Sequence, residues 1–233
     1  MGKQGYEQVG VAMTCRGYDE YVRMFDLQPV DLERGEMLDV AAGGSSFTAD
    51  ANARGYRAFA VDPRYDKGIE EWISEAEQEI ETSTAKLAKL QERFDWSYYG
   101  SIDQHRAGRV TSIERFKESV RDSMNKHRYA AGKLPELPYS DNRFSLILCS
   151  HFMFLYADQF GTEFHIEAMK ELMRICKPGG QIRIYPLLSL NWEPYPGLEQ
   201  LLHTIKENGG SAELCPSHLP FIPGSSQYLK VSL

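Results

Sequence analysis

Two carboxylates and a loop of very small residues form the part of this sequence best suited to bind a nucleotide. The segment Glu36–Ser46 (EMLDVAAGGSS) is typical of a buried strand that carries Asp39 and then turns into a loop where the backbone can approach a ligand closely. The next apolar run, Tyr56–Asp62, ends on a second carboxylate. Nucleotide-binding folds place the acid that bonds the ribose hydroxyls at about this spacing, roughly 20 residues on. The ordered series of strand, loop, helix, strand and acid therefore predicts a nucleotide-type cofactor site.

A second set of polar side chains follows the apolar run Ser145–Cys149. Ligands bind at the carboxyl ends of the strands in open α/β sheets, so Ser150 is expected to contact a cofactor through its backbone. His151 is a candidate general base for a substrate hydroxyl or amine, because its unperturbed pKa is about 6.5. Tyr156 is a weaker candidate for a substrate contact. A structural histidine and an apolar pocket wall are the competing interpretations of this segment.

Near the N-terminus, Arg16 precedes a short helical pattern that runs from Tyr18 to Phe25 and that Pro29 is expected to end. An arginine at this position could bind a substrate carboxylate. The alternative is an exposed, solvated charge with no ligand.

Residues 66–128 predict two long helices. Apolar residues alternate steps of four and three along the first, and a second apolar face follows a break at 95–101. The pattern predicts an αα-hairpin whose aromatic turn, with Trp96, Tyr98 and Tyr99, projects beside the active-site mouth. The first helix is acidic in its first half and the second is basic in its later part. We therefore favour charge pairing between antiparallel helices over nucleic-acid binding.

The rest of the chain alternates helices and strands. Helices are expected at Phe47–Arg54, Glu163–Cys176 and Leu198–Asn208, and strands at Tyr129–Leu134, Gln181–Tyr185, Ala212–Cys215 and Gln227–Val231.

Four segments in order resemble the motifs of the class I S-adenosylmethionine-dependent methyltransferases. They are DVAAGGS at 39–45, VDP at 61–63, LPYSDNRF at 137–144 and KPGG at 177–180. The resemblance implies an α/β fold: a Rossmann-like, doubly wound, mostly parallel seven-stranded sheet with an antiparallel terminal hairpin. We expect residues 1–233 to form a single domain with an N-terminal helical extension at 1–30 and an inserted helical hairpin at 66–128.

The same resemblance implies S-adenosyl-L-methionine as cofactor and assigns residues to it. The expected cofactor-binding residues are Asp39, Ala41, Ala42, Gly43, Ser45, Asp62, Pro63, Lys133, Leu134 and Ser150. Ala41 and Ser45 stand where the family usually has glycine. Lys133 or Leu134 stands where many relatives have an acid that contacts the adenine amino group, and lysine cannot accept that hydrogen bond. The implied substrate residues are Arg16, His151 and Tyr156, with His151 as the catalytic base.

The reaction implied is the in-line attack of an oxygen, nitrogen or sulfur nucleophile on a methyl group carried by a sulfonium. Such a reaction depends mainly on alignment and exclusion of water. A small-molecule substrate is the first hypothesis. An RNA or protein substrate that docks on the helical insertion is the second, and a non-catalytic nucleotide-binding protein is the third. The missing third glycine and the KPGG segment argue against a dinucleotide site.

Composition narrows the choice of partners. The net charge of −7 gives the protein no overall reason to bind polyanions or anionic membranes. Four cysteines lack metal-type or redox-type spacing, and Cys149 and Cys176 lie in apolar stretches expected to be buried. No metal-binding constellation, signal segment or membrane-length apolar run is apparent, so we expect a cytoplasmic protein, with homodimerisation through the helical insertion as a further possibility.

Overall fold

The computed structural model describes residues 6, 8 and 10–233, and it forms one seven-stranded sheet in the order β3-β2-β1-β4-β5-β7-β6. The strands are β1 (Glu36–Val40), β2 (Arg57–Asp62), β3 (Tyr129–Ala131), β4 (Phe144–Ser150), β5 (Cys176–Tyr185), β6 (Ser211–Pro216) and β7 (Gln227–Ser232). All neighbours pair in parallel except β7, which runs antiparallel to β5 and β6. The predicted α/β fold is thereby confirmed.

Seven helices are described in residues 10–233. They are α1 (Tyr18–Met24), α2 (Pro29–Glu33), α3 (Phe47–Ala53), α4 (Ile69–Lys89), α5 (Ile102–Arg121), α6 (Thr162–Ile175) and α7 (Leu198–Glu207). None of the helices in this part of the chain combines the length and apolar character needed to cross a membrane.

The central strands are buried on both faces, as their unbroken apolar runs predict. Successive side chains of β4 alternate between two cores. Ile147 and Cys149 pack with α6 and α7, whereas Leu146 and Leu148 pack with α1 and α3. The parallel pairing of β1 with β2 and β4 puts the carboxyl ends of these strands at one edge of the sheet, where the small-residue loop and His151 follow.

Helices α4 and α5 lie between β2 and β3 and pack against each other. Three ion pairs join them: Arg106 with Glu81, Lys117 with Glu77 and Arg121 with Glu70. The basic face of α5 is therefore matched by α4, which weakens the nucleic-acid interpretation. That this segment is an insertion relative to other proteins of the fold stays a prediction.

The aromatic turn of this hairpin does not project as expected. The amide of Asp95 donates to the carbonyl oxygen of Phe221 at 3.1 Å, and the Trp96 ring lies 5.1 Å from the Phe221 ring, centroid to centroid. The Tyr99 hydroxyl donates to Glu20 of α1. The turn buries its rings against the loop between β6 and β7 and against α1, because aromatic surface is more stable there than in water. Dimerisation through this segment stays a prediction.

The structure also corrects two predictions about where helices and strands begin and end. Pro29 does not end the N-terminal helical region but begins α2 as its first residue, a position that needs no backbone N–H. Strand β3 ends at Ala131 instead of Leu134, because the chain turns at Gly132, where the Pro138 ring and Val61 pack closely. Residues 1–5, 7 and 9 of the predicted extension 1–30 lie outside the described residues.

Candidate active site

A pocket opens where β2 ends, and we call it the Asp62 pocket. It holds about 640 Å³ of empty space. Of the predicted cofactor-binding residues, Ala41, Asp62, Pro63, Lys133 and Leu134 line it. Its other walls are mostly apolar, with Val40, Val61, Leu137, Phe152, Phe160 and Phe164 among them. A carboxylate beside a flat apolar cleft can bind the paired hydroxyls of a ribose and the face of a base.

Two backbone N–H groups hold the Asp62 carboxylate in place. Gly43 N donates to Oδ2 at 3.0 Å, and Arg64 N donates to Oδ1 at 2.9 Å. Burial raises the pKa of Asp62, while these N–H groups and the Arg64 guanidinium favour its charged form. Each oxygen keeps a second lone pair for a ligand.

The small-residue loop takes a conformation that side chains disfavour. Ala41 has φ +56° and Gly43 has φ +55°, both in the left-handed region. At Gly43 an added Cβ would also lie 3.2 Å from the backbone nitrogen of Thr14. Gly43 therefore suits both the left-handed torsion and the lack of space for a Cβ, whereas Ala41 adopts the left-handed torsion at a cost in conformational energy.

Residues 11–16, which we call the strap, cover this loop. The carbonyl oxygen of Arg16 accepts hydrogen bonds from Ser45 Oγ at 2.8 Å and Ser46 N at 3.0 Å. The Phe47 amide donates to Ser45 Oγ. The backbone amide groups of Ser46 and Phe47 at the start of α3 are thus already paired within the protein.

Five predicted cofactor residues do not line the Asp62 pocket: Gly43, described above, and Asp39, Ala42, Ser45 and Ser150. Asp39 is buried and accepts hydrogen bonds from the Tyr21 hydroxyl at 3.0 and 3.1 Å, and burial raises its pKa well above the usual range. Ala42 is buried within the loop, and Ser45 holds the strap. Ser150 is buried beside His151. Their placement supports the shape of the loop, and any direct contact with a cofactor stays a prediction.

The strap also borders a second space, which we call the Arg16 chamber. Val11 of the strap lines the Asp62 pocket, and Ala12 to Arg16 line the chamber. All three predicted substrate residues, Arg16, His151 and Tyr156, line this chamber. The Tyr156 hydroxyl accepts a hydrogen bond from Ala12 N at 2.9 Å, which ties the strap to the chamber wall.

One side of the chamber is held by a buried ion pair. Arg109 Nη1 lies 2.7 Å from both oxygens of Glu20 and 2.9 Å from the carbonyl oxygen of Cys15. Its Nη2 lies 3.0 Å from the Tyr99 hydroxyl and 3.0 Å from His105 Nε2. This network joins α5, α1, the strap and the hairpin turn at a single guanidinium.

His151 is positioned by strain and by Ser150. Its φ of +53° is unusual for a residue with a side chain. Ser150 Oγ donates to Met24 Sδ at 3.4 Å and lies 2.9 Å from His151 Nδ1. A hydrogen bond from Nδ1–H to Ser150 Oγ would leave Nε2 as an acceptor. Burial and the charges of Arg16 and Arg109 lower the pKa of His151 well below 6.5, so the ring is neutral near pH 7.

Comparisons with known proteins find a matching family model, a relative in sequence and similar folds. The model of a methyltransferase domain matches residues 97–184. The uncharacterized protein MJ0045 of Methanocaldococcus jannaschii is 32% identical over 192 residues, which are 82% of this chain and 84% of that protein. An O-methyltransferase family protein from Burkholderia thailandensis has a similar fold, with a TM-score of 0.51 at 9% identity, over 92% of this chain and 55% of that chain. A putative S-adenosyl-L-methionine-dependent methyltransferase from Methanococcus maripaludis gives a TM-score of 0.46 at 13% identity, over 92% and 82% of the two chains.

This chain belongs to the class I S-adenosylmethionine-dependent methyltransferases. It is a methyltransferase, and S-adenosylmethionine is its cofactor. The Asp62 pocket fits the adenosine half of that cofactor, because a buried carboxylate stands at the end of an apolar cleft. When bound, the cofactor supplies an electrophilic methyl group on a sulfonium.

Sequence reasoning missed several residues of this methyltransferase site. Arg64 donates to the carbonyl oxygen of Val11 and so fixes the strap beside Asp62. His105 and Glu79 line the chamber from α5 and α4. Nothing in their local sequence separates them from the polar faces of long helices. Across the described residues, no group of His, Cys, Asp and Glu gathers as a metal site would require.

Proposed function

We propose that this methyltransferase transfers its methyl group to an oxygen, nitrogen or sulfur atom of a small molecule held in the Arg16 chamber. The observation that carries the proposal is the chamber itself, a space walled largely by apolar and aromatic side chains next to the Asp62 pocket. Small-molecule sites are typically concave and mostly apolar, with a few polar groups that orient the ligand. The tightly paired charges on α4 and α5 favour this substrate class over a nucleic acid.

In this proposal Asp62 binds the ribose, Pro63 and Leu134 lie against the adenine, and the chamber aligns the acceptor while excluding water. His151 takes the acceptor's proton at Nε2. A base with a lowered pKa stays unprotonated in mild acid. Turnover should therefore hold steady as the pH falls from 8 to below 6.5, where an ordinary histidine would lose activity.

The substrate class is tested with S-adenosylmethionine labelled in its methyl group and an extract of the source organism. The extract is separated into small-molecule, RNA and protein fractions, and each is incubated with the pure enzyme. We expect label in the small-molecule fraction. Label confined to RNA or protein would contradict the proposal.

A matched pair of variants tests whether the reaction takes place in the chamber. Ser83 lines the chamber from α4, so Ser83→Trp should fill it and abolish labelling while S-adenosylmethionine still binds. Ser74, an exposed residue of the same helix, gives the control variant Ser74→Trp, which should label as the wild type does. Equal labelling by both variants would place the substrate elsewhere.

A candidate base is tested once the substrate is identified. His151→Ala should lower turnover by about 10²- to 10⁴-fold with cofactor affinity close to wild type. Comparable turnover in the folded variant would leave His151 with a structural role alone.

A further inference from the structure

Among the described residues, Arg16 is a buried cation without a matching anion. Its side chain is only 9% exposed, and among the described residues Nη1 has no hydrogen-bond partner. Burial and the neighbouring Arg109 lower its pKa, which reflects the cost of the charge in this place. A buried charge without a partner is strongly destabilising, so its retention points to a ligand that completes it.

The nearest carboxylate is already committed elsewhere. Both oxygens of Glu20 lie against Arg109, and they also accept hydrogen bonds from Gly17 N and from the Tyr99 hydroxyl. Glu79 lies on the chamber wall, but the cations that act on its pKa are Lys86 and Arg64 and not Arg16. Among the described residues, the acids near Arg16 are therefore Glu20, which pairs with Arg109, and Glu79, whose pKa responds to Lys86 and Arg64; neither forms an ion pair with Arg16.

His105 adds a second unused donor to the same chamber. An arginine can only donate, so the contact of Arg109 Nη2 with His105 Nε2 makes Nε2 the acceptor of the ring. Burial lowers the pKa of His105 to about 2, so the ring is neutral and its proton is on Nδ1. That nitrogen is buried and has no hydrogen-bond partner in the described part of the chain.

From these two unused donors we infer that the substrate carries a carboxylate on an aromatic or apolar body, and that Arg16 binds the carboxylate with His105 as a second donor. The inference rests on the proposed small-molecule function and narrows its substrate class. A carboxylate fits Arg16 because its two oxygens can accept parallel hydrogen bonds from one guanidinium. The body of the molecule would pack on Phe94, Leu155, Trp192 and Phe221.

A carboxylate could also come from the methionine end of the cofactor, and the experiment separates the two sources. Binding of 4-hydroxybenzoate and 6-hydroxy-2-naphthoate is measured by calorimetry up to about 10 mM, each beside its primary amide, with and without saturating S-adenosylhomocysteine. We expect the wild type to prefer each acid over its amide by about ten- to a hundredfold, the worth of a charged hydrogen bond. Arg16→Gln should remove this preference and leave cofactor affinity unchanged. The control Arg106→Gln, at an exposed arginine of α5, should retain the preference.

Three results would overturn the inference. The first is equal binding of acid and amide by the wild type, including the absence of binding by both. The second is an acid preference that survives in Arg16→Gln. The third is a loss of S-adenosylmethionine affinity in Arg16→Gln, which would assign Arg16 to the cofactor.

A stability measurement checks Arg16 without any ligand. Removing an unpaired buried charge should stabilise the empty protein, so Arg16→Met should raise the melting temperature by about 2–4 °C. A lower melting temperature would make Arg16 a structural residue and overturn the inference. If the wild type shows no preference for the acids while Ser83→Trp still abolishes labelling of small molecules, the proposed function is retained. Only the inference that the substrate carries a carboxylate is then refuted.

Discussion

The Arg109–Glu20 pair offers the sharpest test of how the chamber is held. Arg109→Ala leaves the Glu20 carboxylate and the Cys15 carbonyl without the guanidinium that lies 2.7 to 2.9 Å from them. Both side chains are over nine-tenths buried, with 6% and 8% exposed. Removing one partner of such a pair costs about 3–5 kcal/mol in the free energy of unfolding.

The matched control is Arg121→Ala on the same helix. Arg121 pairs with Glu70 at 2.7 Å, but the two side chains are 48% and 71% exposed, so the loss should be at most about 1 kcal/mol. Both variants are measured by urea unfolding, together with Arg109→Met/Glu20→Gln. The double variant should recover part of the loss, because both charges of this pair are removed together. Equal losses for Arg109→Ala and Arg121→Ala would refute this account of the network.

Two further predictions follow from backbone strain and from buried histidine. Ala41→Gly should raise the free energy of unfolding by about 0.5–1 kcal/mol, since glycine relieves the left-handed torsion. Ala53→Gly at the end of α3 should lower the free energy of unfolding. Calorimetric melting that shows Ala53→Gly to be the more stable of the two variants would contradict the reasoning. Below pH 6.5 the unfolded chain protonates His105 and the folded chain does not, so this residue costs about 1.4 kcal/mol of stability per pH unit. His105→Gln should remove that contribution, and identical pH dependence of wild type and variant between pH 6 and 4 would show that His105 titrates normally in the fold.

Local sequence was sufficient for the sheet and for the Asp62 pocket. The apolar runs that end at Val40, Asp62 and Ser150 form neighbouring strands, so their ends meet at one edge. The acid after β2 and the small loop after β1 then face each other through the bond from Gly43 N to Asp62. Both features depend on residues that are close in the chain and on the usual order of the strands, so they can be predicted from a sequence pattern.

The chamber depends on contacts that no local pattern carries. The sequence predicted that Arg16 could bind a substrate carboxylate. It did not predict that the nearby carboxylate of Glu20 pairs with Arg109, which lies on a different helix. The turn with Trp96 and Tyr99 was expected at a projecting tip because its partner, Phe221, belongs to a distant loop. The sequence pattern around His105 is that of any polar residue of a long helix. Its burial depends on the packing of the turn against it.

The central claim is that the Asp62 pocket binds S-adenosylmethionine through the buried acid at the end of β2. Its most direct test is calorimetric titration of the wild type, Asp62→Ala and the control Asp66→Ala with S-adenosylmethionine, and of the wild type with NAD. Asp66 is an exposed acid of the same turn. We predict binding of S-adenosylmethionine and not of NAD, about ten- to a hundredfold weaker in Asp62→Ala and unchanged in Asp66→Ala. Failure of the wild type to bind S-adenosylmethionine, or unchanged affinity in a folded Asp62→Ala protein, would contradict the account.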